Sequence, residues 1–342
     1  MRRSLPRWIL IAGASVVVAI GAYFLQRHLE YVKMHTIPTG LQAFDVNGPI
    51  PTCGMWKETM PKTRNPAAYR LYIEARKLWR SKIEWQLTRQ EALSILHDVQ
   101  AAAAQGDWGA RALMAYFHRS GLGPLDTNHV LEPDADKSVE IVRMAVAAGQ
   151  AWGYYDLGVA HEHGYGGAAQ DEQIAWAYYL KAAELGSPEA QMTLASAYLK
   201  VERRDAEEAM VMCAYKQGHG PAAYDLGMTA KLFKNFAAAL EYYQAGTRFG
   251  SKDSTVVLRQ FFDIEKWSSR DKKDQTALKE LGILPDPERE RRYHQIFQAL
   301  DVNPDLKLTR LNQVLPLPPA ELPAWNGIQD AIEPEPDGPP SY

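Results

Sequence analysis

His161, Glu162 and His163 are the residues whose types come nearest to a metal site. A zinc-protease helix carries two histidines four residues apart on one face, with a glutamate between them. Here the histidines are two apart and point roughly 200° away from each other. His161 also holds the repeat position filled elsewhere by His118 and Tyr198, so it reads as a core or turn residue. No Gly-x-Ser-x-Gly elbow is present, and Gly164-Tyr165-Gly166-Gly167 belongs to a repeat turn rather than to a phosphate-binding loop. The acidic residues are scattered, with no pair that spacing alone places together. No catalytic residue, no metal site and no cofactor is expected, and the chain reads as non-enzymatic. The two cysteines, Cys53 and Cys213, lie 160 residues apart. They could pair in an oxidising compartment, but spacing alone does not show whether their Cα atoms come within bridging distance. Cys213, in the apolar run 209–215, reads more simply as a buried thiol.

The elements that carry these residues repeat. Gly106 is followed by Ala110 and Met114, Gly149 by Gly153 and Leu157, Gly186 by Ala190 and Leu194. Gly218 is followed by Ala222 and Leu226, and Gly250, more weakly, by Ser254 and Leu258. The glycines stand 43, 37, 32 and 32 residues apart. A period of this size signals helical hairpins stacked in a solenoid. In each copy the glycine suits the left-handed position that ends one helix, and small residues after it allow the next helix to approach closely. Gly121/Gly123 and Gly164/Gly166 form turns inside two hairpins; later copies shorten this turn. A long inner loop, 122–134, explains the spacing of 43. Thr88 with Glu91 is a capping box that opens a helix in a divergent first hairpin, whose other helix lies within 66–80. The stripe Trp176, Tyr178, Tyr179 reads as core by the same periodicity.

The run Ala147-Ala148-Gly149…Leu157-Gly158…Gly164-Tyr165-Gly166…Ala175-Trp176-Ala177-Tyr178-Tyr179-Leu180-Lys181-Ala182-Ala183-Glu184-Leu185-Gly186 resembles the Sel-one-like repeat, a tetratricopeptide-type solenoid unit. The third and fourth copies depart from it by lacking the Gly-x-Gly turn. The expected fold is all-α: a superhelical solenoid of antiparallel helix hairpins, with a transmembrane helix before it and an extended proline-rich segment after it.

The flanks extend this reading. Arg2, Arg3 and Arg7 precede an uncharged run from Trp8 to Leu25, about 27 Å as a helix and enough for the hydrocarbon core. The arginines keep the amino terminus cytoplasmic and send the rest across. A weak cleavage site exists at Ala19-Ile20-Gly21, but the apolar run exceeds a signal-peptide core, which favours an uncleaved anchor. The expected organisation is a cytoplasmic stub 1–7, a membrane span 8–25, a juxtamembrane linker 26–65 that packs partly on the first hairpin, and a repeat array 66–262. Carboxy-terminal helices 263–300, a proline-rich cap 301–330 and a disordered tail 331–342 follow. The charge run Glu288 to Arg292 reads as a solvated helix face. Leu315, Leu317, Leu322 and Trp325, interleaved with prolines, suit an extended path along the array as a cap; a ligand for another domain is the alternative.

The array followed by Tyr293…Leu300-Asp301…Asn303-Pro304 and Leu-Pro-Leu-Pro-Pro-x-x-Leu-Pro-x-Trp resembles bacterial envelope proteins similar to immunity proteins against type VI secretion lipase effectors, including phospholipase D-like ones. That resemblance implies a protein anchored in the inner membrane, with its bulk in the periplasm, that binds and occludes a secreted phospholipase. An envelope scaffold for a wall- or polysaccharide-building complex is the alternative. Composition agrees with binding rather than nucleic-acid recognition: the net charge is −3, no basic run is present, and 46% of residues are hydrophobic. Nine Trp and 17 Tyr supply both inter-hairpin filling and binding surface. Trp108, Trp152 and Tyr165, near the inner loops, are the expected contact residues; each also has a packing reading.

Overall fold

A computed structural model describes residues 7–61 and 63–333, with residues 7–19 as backbone only. Most of the expected span 8–25, nearly all of the stub 1–7 and most of the tail 331–342 therefore lie outside the residues described in full. The backbone is helical over Arg7–Met34 (α1). Among the described residues no helix is long and apolar enough to cross a membrane. A short helix, α2 (Trp56–Thr59), precedes the array.

The remaining helices pair in order. α3 (Pro66–Trp79) pairs with α4 (Arg89–Ala104), α5 (Trp108–Ser120) with α6 (Ala135–Ala147), and α7 (Ala151–His163) with α8 (Glu172–Glu184). α9 (Pro188–Lys200) pairs with α10 (Arg204–Lys216), and α11 (Gly220–Leu232) with α12 (Phe236–Arg248). Each second helix also packs on the first helix of the next pair, which makes a solenoid. Among the described residues there is no strand, only an isolated bridge between Leu122 and Leu131 in the long inner loop.

Local chemistry sets the helix limits. Asp107, Asp134 and Asp171 accept hydrogen bonds from the amides of Ala110, Lys137 and Ile174 at 2.9–3.0 Å, and Ser187 and Ser251 do the same for α9 and for the helix after Gly250. Each cap satisfies amides left open at a helix start. Thr88 and Glu91 form the reciprocal capping box at α4. The five anchoring glycines have φ between +72° and +98°, as a left-handed helix end requires. Ala182, Ala190, Ala214 and Ala222 are fully buried, because only small side chains let neighbouring helices come this close.

The array does not stop at residue 262. α13 (Lys252–Phe262) pairs with α16 (Pro287–Val302), so a sixth hairpin forms around the inserted helices α14 (Ile264–Ser268) and α15 (Lys272–Glu280). Phe262 stacks on the buried Tyr293 at 5.8 Å, and the Tyr293 hydroxyl donates to Gln244 Oε1 at 2.7 Å. The insertion erases the period, which is why the repeat is invisible there in the sequence.

The run Glu288–Arg292 is not simply a solvated face. Arg289 and Arg292 are buried. Arg292 donates to the carbonyls of Val314 (2.9 Å) and Pro323 (2.8 Å), and Arg289 to those of Pro316 and Ala320. An extended proline-rich chain offers carbonyls without matching amides, and two guanidinium forks satisfy them. After α17 (Leu311–Val314) the segment therefore lies along α16, with Leu308, Leu311 and Leu315 fully buried. Order continues past residue 330: Ala331 is buried and its carbonyl accepts from the Arg310 amide at 3.1 Å.

The segment expected as a linker starts as helix, since α1 runs to Met34, and then crosses the middle of the array rather than leaning mainly on the first hairpin. His35 Nδ1 meets Asp171 Oδ2 at 2.8 Å. Phe44 stacks on Trp176 and packs edge-on to Tyr198. Arg203 donates to the Val46 and Gly48 carbonyls. Cys53 and Cys213 are joined in a disulfide, with Cα atoms 5.6 Å apart, so Cys213 is buried but is not a free thiol. Arg64 then grips Asp107 through two hydrogen bonds of 2.6 and 2.9 Å.

Candidate partner-binding site

The chain segments on either side of the array act as two straps, 35–64 and 303–309, and both run to its glycine-turn edge. Gly54 seats against Gly186, where an added Cβ would lie 2.2 Å from the Trp56 amide nitrogen. Gly250 faces the carbonyl of Leu306 at 2.5 Å from a hypothetical Cβ. The Leu308 amide and the Lys307 ammonium donate to the carbonyls of Arg248 and Phe249, both at 2.8 Å. These carbonyls end α12, where a cation is favoured.

Between the straps lies a cleft of about 380 Å³, lined by Trp56, Lys57, Glu189, His219, Arg248 and Lys307 among others. Burial lowers the pKa of His219, with Glu189 opposing and Lys307 adding to the shift. Burial also lowers that of Lys307, with Asp305 opposing and Arg76 adding. The three groups therefore share one electrostatic environment whose cations are poorly solvated. His219 precedes α11 without capping it.

A second cleft of about 280 Å³ opens where Met60 and Asp305 approach the start of the array, and Tyr72, Trp79, Trp108 and Tyr116 line it. Asp305 accepts from Arg80 Nε at 2.7 Å and lies 3.5 Å from Arg76 Nη2, which ties the far strap to α3. Trp108 is half-buried here, with the Arg111 guanidinium 4.4 Å over its ring. Tyr165 is also half-buried; burial raises its pKa, and a hydrogen bond from Arg119 lowers it. Trp152 fits its packing reading. It is 7% exposed and its Nε1 donates to Gln150 Oε1 at 2.7 Å, so it is core rather than contact surface. All three pack against one apolar cluster around Leu157 and Tyr178.

Near Tyr165, Asp156 feels the charges of Arg119 at the end of α5 and Glu189 at the start of α9. Burial pushes its carboxyl up to about 6, with Arg119 opposing and Glu189 adding to the rise. His161 stacks on Tyr178 and its Nδ1–H donates to the Ala169 carbonyl at 2.9 Å, which closes the hairpin turn. Glu162 accepts from the Tyr179 hydroxyl. Among the described residues no group of three His, Cys, Asp or Glu side chains is placed to hold a metal ion.

No local pattern in the sequence singles out His219, Arg248 or Lys307. Asn303-Pro304-Asp305 stands out there only as a motif; its role as a strap turn, with Asn303 Oδ1 accepting from the Asp305 amide at 3.0 Å, is a product of the fold.

Residues 257–338 match the sequence model of a domain of unknown function, DUF6396. No curated protein sequence matches the chain. Among solved structures, Pseudomonas aeruginosa 5086 (PA5086) superposes with a TM-score of 0.62 at 27% identity, covering 80% of this chain and 96% of that one. The immunity protein PA5087 from Pseudomonas aeruginosa superposes with a TM-score of 0.60 at 26% identity, covering 78% and 94%. Immunity protein PA5088 from the same organism shares the fold, with a TM-score of 0.59 at 24% identity, covering 78% and 94%. The chain is a helical-hairpin solenoid that resembles Pseudomonas immunity proteins along about four fifths of its length.

Proposed function

We propose that this protein is an immunity protein: it binds a secreted effector and blocks it sterically, without chemistry of its own. The observation that carries the reading is the likeness to immunity protein PA5087, which spans nearly all of that chain. The finer reading is a periplasmic protein held at the inner membrane through residues 8–25, whose target is a phospholipase delivered by type VI secretion. The Cys53–Cys213 disulfide supports export, because such bonds persist in oxidising compartments. The strap clefts support protein capture: they are concave, aromatic-rich and cationic, features that favour a well-anchored contact. Trp108, which lines the second cleft, is proposed as a contact there, and Tyr165, in the α7–α8 turn, as a contact outside the clefts.

The test is co-expression of the full chain with a phospholipase encoded beside it. The expected result is co-purification and loss of lipid hydrolysis at equimolar protein. A deletion strain should be killed only by kin that carry the effector. If the chain neither binds nor inhibits that phospholipase, the proposal fails.

A further inference from the structure

The two ends of the hairpins differ in character. The glycine-turn end is covered by the straps. At the opposite end, where the first helix of each hairpin turns into the second, large apolar side chains stand exposed at the same place in successive copies. Leu199 and Val201 mark the α9–α10 tip, Leu232 and Phe233 the α11–α12 tip, and Ile264 the turn after α13. Phe233 is 77% exposed, Leu232 75% and Ile264 61%. Single exposed apolar residues are ordinary, but recurrence along one edge is not.

Charge accompanies them. Basic residues flank the apolar tips without a net basic excess: Arg203 is held by Asp205 and the Val46 and Gly48 carbonyls and Arg204 by Glu207, while Lys200 and Lys266 stand exposed. Glu202 and Lys234 also take left-handed backbone angles, φ +62° and +60°, at positions where glycine would relieve strain. Lys234 is tied to Asp274 at 2.8 Å. The third observation is the route of α1. It ends at Met34, and His35 is then fixed to Asp171 at the tip of the α7–α8 hairpin. The helix proposed to enter the membrane thus joins the array at this same edge.

We propose that the α9–α10, α11–α12 and α13 tips form a membrane-contact surface for a phospholipid bilayer, with Leu199, Val201, Leu232, Phe233 and Ile264 entering the interfacial layer and the exposed Lys200 and Lys266 reaching the headgroups. This rests on the reading of residues 8–25 as a membrane anchor. The arrangement turns the glycine-turn edge and its clefts away from the bilayer, open to an effector.

The full chain, reconstituted in vesicles of phosphatidylethanolamine and phosphatidylglycerol, tests it by photo-crosslinking. Benzoylphenylalanine replaces Phe233 in one variant and His97, exposed on α4, in the other; both sites point to solvent, so folding is preserved. Lipid adducts at 233 should exceed those at 97 by about tenfold, and a Leu232→Ser, Ile264→Ser background should reduce them severalfold. Equal adducts at the two positions in chains that float with the vesicles would overturn the tip contact and leave the anchor standing. Chains that fail to float would overturn both. Crosslinking at 233 to a co-reconstituted effector in place of lipid would make the edge a protein-binding surface instead.

Discussion

Asp156 carries the most informative single charge in the array. Its folded pKa of about 6 lies above the unfolded value for a carboxylate because burial disfavours the ionised form, and Glu189 adds to this while Arg119 only partly offsets it. A raised carboxyl stabilises the fold fully below the unfolded value, and that stabilisation disappears as pH rises through about 6. Asp156→Asn should therefore melt with the parent at about pH 4 and, at about pH 7.5, melt higher by about 2–4 °C. Thermal unfolding at the two pH values checks this; an equal shift at both would place the effect elsewhere. The histidine pair shows the opposite lesson. His161 and His163 resemble ligands by residue type alone, and their spacing argues against it; in the fold His161 closes a turn and Glu162 receives the Tyr179 hydroxyl.

At the scale of elements, the glycines that end the helices serve two purposes. Gly149 and Gly186 share left-handed angles, but a Cβ on Gly149 would meet nothing within 4 Å, whereas one on Gly186 would collide with strap backbone at Met55 and Trp56. Gly149→Ala should cost about 1 kcal/mol, the strain of the angle alone. Gly186→Ala should cost about 2–4 kcal/mol more, because strap and turn must separate. Denaturant titration of the two variants decides it; equal losses would mean that the strap yields freely. The recurring positions of these glycines were legible because a left-handed helix end is a local demand. Which of them seats a strap was not, since Gly54 and Gly186 meet across more than a hundred residues.

At the scale of the whole molecule, the straps link parts of the solenoid that the repeat itself leaves apart. Stacked hairpins touch only their neighbours, so a solenoid opens readily unless something spans it. Here Asp305 joins the far strap to Arg76 of α3 and to Arg80 just after it, and the disulfide joins the near strap to α10. Asp305→Ala removes the shared anion of a half-buried cluster. It should speed amide hydrogen exchange in α3 by about tenfold while leaving α10 unchanged. Unchanged exchange in α3 would show that the first hairpin holds its place without the strap.

The sequence alone determined the periodic architecture. Helix starts, helix ends and the apolar stripe are specified within a few residues by caps, left-handed glycines and side-chain spacing. It also marked the proline-rich end as extended, since proline permits little else. Tertiary structure decided the rest. Pairing of Cys53 with Cys213, burial of Arg289 and Arg292 under the carbonyls of that extended end, the sixth hairpin around its insertion, and the clefts beneath the straps all depend on segments remote in sequence. Their partners are chosen by which unsatisfied carbonyl, charge or apolar face folding brings near, and no local pattern encodes that choice.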